Sequence, residues 1–153
     1  GIGRIITGGE MKYTEFIEQT LNKVRSLCGE KEKLKRKREE LRSKMWEIHS
    51  ICYDDAKVSG GKKPDISILY ERYQAQIEKQ DKSIVRKAIK LSKAELKAER
   101  LINKISDPTQ RKVLERYYIN GESTKAIAKK MGYTQRRIQQ LKREAIAAIA
   151  EEK

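Results

Sequence analysis

Apolar residues between Thr14 and Tyr53 advance in steps of three, four or seven: Ile17, Val24, Leu27, Leu34, Leu41, Met45, Ile48 and Cys52. Lys31 and Arg38 interrupt this stripe at its middle. Such a period predicts a long amphipathic helix with a heptad-like seam. A second stripe follows from about Ile66 to Ile105: Ile66, Tyr70, Tyr73, Ile77, Ile84, Leu91, Ala94, Ala98, Leu101 and Ile105, with Gln80 and Lys87 as polar breaks. Each segment holds about forty residues, enough for a helix of about 60 Å. The stretch KVSGGKKPD (57–65) separates them, because two adjacent glycines and a proline end a helix. Asp65 stands where it could cap the second helix. Matching lengths, matching stripes and one short connection predict a long antiparallel helical hairpin, coiled-coil-like, over residues 14–105.

Two features of that hairpin need partners. Buried unpaired cations are costly, so Lys31 and Arg38 are expected to snorkel or to pair with Glu78, Asp81 or Glu95. A two-helix hairpin also leaves its flanks bare, and Phe16, Trp46, Tyr53 and Ile68 are candidates for that surface. Self-association to a homodimer, or packing against the rest of the chain, would cover them.

The pattern changes at residue 106. Asp107-Pro108-Thr109-Gln110 combines a capping Asp, Pro at the first helical position and Gln three residues after the cap. That helix carries Val113, Leu114, Tyr117 and Tyr118 and is expected to stop near Asn120-Gly121. Ser123 or Thr124 then caps another. Residues 124–143, TKAIAKKMGYTQRRIQQLKR, read as a helix-turn-helix. Gly132 supplies the positive φ that a helix needs in order to end and restart at a steep angle. Ala128 is small where the second helix passes over the first. Ile127, Met131, Ile138 and Leu141 close the small core, and Thr134 can cap the second helix. The last helix runs on through Ala145, Ile146 and Ile149. The fold class is therefore all-α: a hairpin followed by a compact helix-turn-helix domain over residues 106–153.

Charge gives this motif a target. The chain has 36 Lys and Arg against 22 Asp and Glu, a net charge of +14. Between Lys125 and Arg143 there is no acidic residue and there are seven basic ones. Such an imbalance favours a polyanionic partner, and double-stranded DNA suits a helix-turn-helix. The helix beginning near Thr134 would enter the major groove with its first turns foremost. Gln135, Arg136, Arg137, Gln139 and Gln140 are the candidates for base contact. Arg matches the two acceptors of guanine, and Gln matches the donor–acceptor pair of adenine. Thr124, Lys125, Lys129, Lys130, Thr134, Lys142 and Arg143 are the candidates for phosphate contact. The plain alternative is a helical pair with a solvated basic face, in which Arg136 or Arg137 pairs with Glu122 or Glu144.

Other chemistry is thinly represented. Cys28 and Cys52 fall at apolar helical positions and read as buried thiols. Two Cys and one His make no zinc set. His49, the single histidine, reads as an ordinary helix residue. No phosphate loop, nucleophile elbow or metal cluster is present, so neither an enzyme nor a cofactor is expected. A mean hydropathy of -0.82 leaves no stretch able to span a bilayer and no secretory core, so a cytoplasmic protein with no membrane partner is expected. Residues 1–10, GIGRIITGGE, lack periodicity and read as an expression-derived or disordered leader before Met11.

Residues 114–149, including YINGESTKAIAKKMGYTQRRIQQLKREAIAAI, resemble the fourth conserved region of bacterial sigma factors. The shared features are the small-residue turn before the motif, Ile127, Gly132, Thr134, Ile138, Gln140 and Ala145. From about residue 14 to 150 the arrangement is similar to small phage transcriptional regulators of the ArpU/RinA type. The resemblance implies promoter reading by Thr134, Gln135, Arg136, Arg137 and Gln140. It also implies late-gene regulation and contact with RNA polymerase. Arg136 departs from the mixed charge of sigma factors on this face, and nothing resembles the region that melts promoters. The expected function is a sequence-specific transcriptional regulator. A DNA-packaging oligomer like small terminase subunits, or a non-catalytic coiled-coil adaptor, also fits these features.

Overall fold

The computed structural model describes residues 8–55 and 66–151, with side chains from 12–50 and 66–151. The chain is helical, and no strand occurs among the described residues. Helix α1 spans Gly8–Asp55 and α2 spans Ile66–Ile102. Helix α3 (Pro108–Leu114) continues as a π turn over Glu115–Ile119. Helices α4 (Thr124–Met131) and α5 (Gln135–Glu151) complete the order. The break expected over 57–65, the cap at Asp65 and the side chains of Cys52 and Tyr53 lie outside the described residues.

The chain forms two compact units, Glu30–Ile89 and the combination of Gly1–Gly29 with Lys90–Lys153. In the first, α1 and α2 pack through Leu41, Ile77 and Ile84, all buried. Two ion pairs fix the register: Lys87 Nζ lies 2.6 Å from Glu30, and Arg38 Nη1 lies 3.1 Å from Asp81. Residues 30 and 38 meet 87 and 81, so the helices run antiparallel. Arg38 thus finds one of its expected partners, although its buried Nε has no hydrogen-bond partner. Trp46 of α1 remains 70% exposed, and Ile68, Leu69 and Tyr70 of α2 also face solvent.

The second unit holds most of the core. Ile17, Leu21, Val24 and Leu27 of α1 meet Leu91, Ala94, Ala98 and Leu101 of α2. Leu114, Tyr118, Ala145, Ile146 and Ile149 join the same cluster. Each fully buried Ile or Leu contributes about 1.5–3 kcal/mol of transfer free energy. Ala94 and Ala98 are small, which lets neighbouring backbones approach closely.

The stripes differ from the sequence reading in three places. Leu21, four residues after Ile17 and three before Val24, is fully buried although the expected stripe omits it. Here α1 touches both α2 and the C-terminal helices, so its apolar face is wider than a heptad seam. Tyr70 lies on the expected stripe but is exposed. Ile105 is buried, yet α2 ends at Ile102, and Ile105 enters the core from the following turn. Arg111 steadies that turn by donating from Nη2 (2.7 Å) and Nε (3.2 Å) to the Ile105 carbonyl.

Candidate nucleic-acid interface

Helix α3 starts as its sequence dictates. The Thr109 amide donates to the Asp107 carboxylate at 2.9 Å, and Pro108 occupies the first turn, where its missing N–H costs nothing. The helical run ends at Asn120-Gly121, as the sequence leads one to expect, but through a π turn that no residue pattern signals. The Asn120 amide reaches back five residues to the Glu115 carbonyl at 3.0 Å, and the Glu122 amide bonds to the Arg116 carbonyl. Gly121 then takes φ 70°, which turns the chain toward α4.

The helix-turn-helix is built from local signals. Ser123, rather than Thr124, caps α4, its hydroxyl accepting from the Ala126 amide at 3.1 Å. Gly132 ends α4 at φ 72°, ψ 29°, a left-handed conformation that L side chains rarely adopt. The amides of Gly132 and Tyr133 both turn back to the Ala128 carbonyl. Thr134 then accepts from the Arg137 amide at 3.1 Å, capping α5. This use leaves the Thr134 hydroxyl proton free to donate. Ile127, Ala128, Ile138 and Leu141 are buried with Val113, and Met131 packs against them half-buried. The motif's centre is thus a small apolar cluster of α3, α4 and α5 with Gly132 at its turn.

Helix α5 presents one face outward. Gln135, Arg136, Arg137, Gln139 and Gln140 are all exposed. At about 100° per residue, Arg136, Gln140 and Arg143 lie opposite the buried Ile138, Leu141, Ala145 and Ile149. Gln139 and Arg137 flank that row on either side. Arg137 Nη1 also lies 3.8 Å from Glu144, a loose exposed pair of small energetic weight.

The phosphate candidates divide. Lys125, Lys129, Thr134 and Arg143 are exposed, and Thr124 is half-exposed at the first turn of α4. Lys130 is exposed but pairs with Glu122. Lys142 is half-buried, its ammonium 3.4 Å from the centroid of the Tyr117 ring. That contact holds it against an aromatic ring of its own domain.

Glu122, Tyr117 and Arg25 escaped the sequence reading as organisers of this region. The Glu122 carboxylate meets Lys130 and, at 3.4 Å, Arg116. The Lys130 hydrogen bond, aided by both positive charges, holds it below the usual carboxylate range. Arg25 of α1 donates from Nη1 to the carbonyls of Tyr117 (2.7 Å) and Glu122 (3.0 Å). Its guanidinium also lies 4.0 Å from the Tyr117 ring centroid. Burial, reinforced by Tyr117 and Glu18, pushes the neighbouring Tyr118 hydroxyl up to about 12. The sequence offers Glu122 as an ion-pair partner for Arg136 or Arg137, whereas the structure pairs it with Lys130 and Arg116. Arg25, 92 residues from Tyr117, gave no advance signal.

An α-helix of about 10–12 Å diameter fits a major groove about 12 Å wide. The exposed row on α5 supplies paired donors and amide groups at that scale, and α4 supplies flanking ammonium groups. Among the described residues no cluster of side chains could hold a metal ion. No described helix is long and apolar enough to cross a membrane. Neither a curated protein nor a solved structure gives a significant match to the chain. Residues 107–151 match the family model for sigma-70, region 4, which places a helix-turn-helix of the DNA-binding regulator kind on α3 to α5.

Proposed function

We propose that the protein is a sequence-specific transcriptional regulator, a phage or prophage late-gene activator that binds double-stranded DNA at promoters and contacts RNA polymerase. It acts by binding rather than catalysis, in the cytoplasm or nucleoid of a bacterial host. The observation that carries this reading is the outward row of Arg136, Gln140 and Arg143 on a helix of sigma-70 region 4 type. Gln135, Arg137 and Gln139 extend the base-reading surface of Arg136 and Gln140, while Lys125, Lys129, Arg143 and the Thr124 and Thr134 hydroxyls hold phosphates. The protein works as a homodimer through the hairpin, a reading supported by exposed Trp46, Ile68, Leu69 and Tyr70.

Selection from a randomised duplex library tests the assignment. The intact protein is expected to enrich a defined sequence, and paired half-sites would report two copies. Replacing Arg136 by Ala should relax preference at one base pair, by about 1–3 kcal/mol of discrimination. Replacing Lys129 by Ala should weaken all duplexes alike and make the salt dependence shallower by about 0.9. Equal behaviour of the two variants, or no enrichment at all, would refute the reading.

A further inference from the structure

A groove of about 360 Å³ lies between α1 and α2 within the unit that also carries α3 to α5. Lys23 of α1 and Lys90, Lys93 and Lys97 of α2 line it, with no carboxylate among the lining residues. All four lysines are exposed, and among the described residues none has an acidic partner. Phe16 stands at the same groove, 55% exposed. Lys90, Lys93 and Lys97 follow the three-and-four spacing of a single helix face, and Arg100 continues it. Like charges at that spacing repel one another on a helix, so the arrangement costs stability unless a polyanion sits against it.

We propose that this lysine face is a second binding surface for the sugar–phosphate backbone of DNA, separate from the helix-turn-helix. Four side chains are compact ammonium groups, which bind phosphate as point charges and carry little base information. The nearby guanidinium, Arg100, extends the row. This composition contrasts with α5, where Arg and Gln together can discriminate bases. The face therefore adds affinity and salt dependence, while sequence preference stays with α5. An acidic protein surface would need complementary donors and acceptors as well as charge, and the groove offers only Gln19 and Thr20. The Thr20 hydroxyl is already committed to the Phe16 carbonyl at 2.7 Å.

The inference rests on the DNA-binding reading, and the test separates the two. The full chain and its triple variant K90A/K93A/K97A are titrated with the library-selected duplex and with a random duplex over a range of salt. Ala is the best helix former, so the variant should keep its helical circular dichroism and melt no lower than the parent. Both duplexes should bind more weakly, and the slope of log K against log salt should become shallower by roughly 2.7, or about 0.9 for each lost phosphate contact. The ratio of selected to random binding should not change. An unchanged slope overturns the proposal while leaving the DNA-binding reading intact. Absence of any DNA binding by the parent overturns both. If the variant instead loses binding to polyglutamate with its DNA slope unchanged, the surface belongs to an acidic polypeptide and the proposal fails.

Discussion

Glu122 joins three parts of the chain at the turn before α4. Its carboxylate pairs with Arg116 behind it and Lys130 ahead of it, and its carbonyl accepts from Arg25. The pairing with Lys130 also decides what that lysine can do, because phosphate must compete with a carboxylate already in place. A carboxylate held below its ordinary range stabilises the folded state above that range. The contribution is lost as pH falls through the folded value, where the group takes up its proton in both states. Glu122→Gln should therefore be less stable than the parent at neutral pH, and the difference should close on acidification. Urea titrations of both proteins from neutral pH downward check this; a gap that persists unchanged in acid would show that charge is not its source. Lys142 makes a parallel case, since its contact with the Tyr117 ring makes it a packing residue within the domain.

At the scale of elements, glycine gives opposite expectations at two positions. Gly132 sits at φ 72°, and a Cβ added there would meet nothing within 4 Å. Only the backbone conformation opposes a side chain, so Gly132→Ala should lower stability by about 1–2 kcal/mol. Gly29 lies inside α1, and an added Cβ again meets open space. Gly29→Ala should raise stability by about 0.5–1 kcal/mol, because a helical glycine gives up more chain entropy than alanine. Thermal or denaturant unfolding of the two variants measures both signs together. The caps at Asp107, Ser123 and Thr134 follow the same logic, in which a short polar side chain satisfies amides that the helix leaves open. All three were legible in the sequence, with Ser123 chosen over Thr124 by the structure. The π turn after α3 was not, because nothing in ERYYI distinguishes a five-residue from a four-residue backbone bond.

At the scale of the molecule, the helix-turn-helix is part of a larger packed body. Leu114, Tyr118, Ala145, Ile146 and Ile149 share one core with Ile17, Leu21 and Val24 of α1. Arg25 adds a polar tie between the same parts, with two carbonyl contacts and a ring contact. Charged hydrogen bonds of this kind are worth about 1.5–3 kcal/mol, so Arg25→Ala should destabilise the unit by roughly 2–3 kcal/mol. Hydrogen exchange should accelerate first at the amides around residues 117–123. Arg25→Lys should recover only part, since an ammonium lacks the planar group that lies against Tyr117. If Arg25→Ala leaves both stability and exchange unchanged, the tie contributes nothing.

Local chemistry along the chain determined the helical class, the caps, the turn glycine and the outward face of α5. Each depends on residues within about one or two turns of one another, so spacing alone specifies them. Tertiary structure decided which of several similar groups met. It buried Leu21 while leaving Tyr70 in solvent, gave Glu122 to Lys130 rather than to an arginine of α5, and brought Arg25 to Tyr117. Among many lysines, arginines and glutamates of equal intrinsic affinity, the choice of partner follows from which helix faces pack together, and no short-range pattern encodes it.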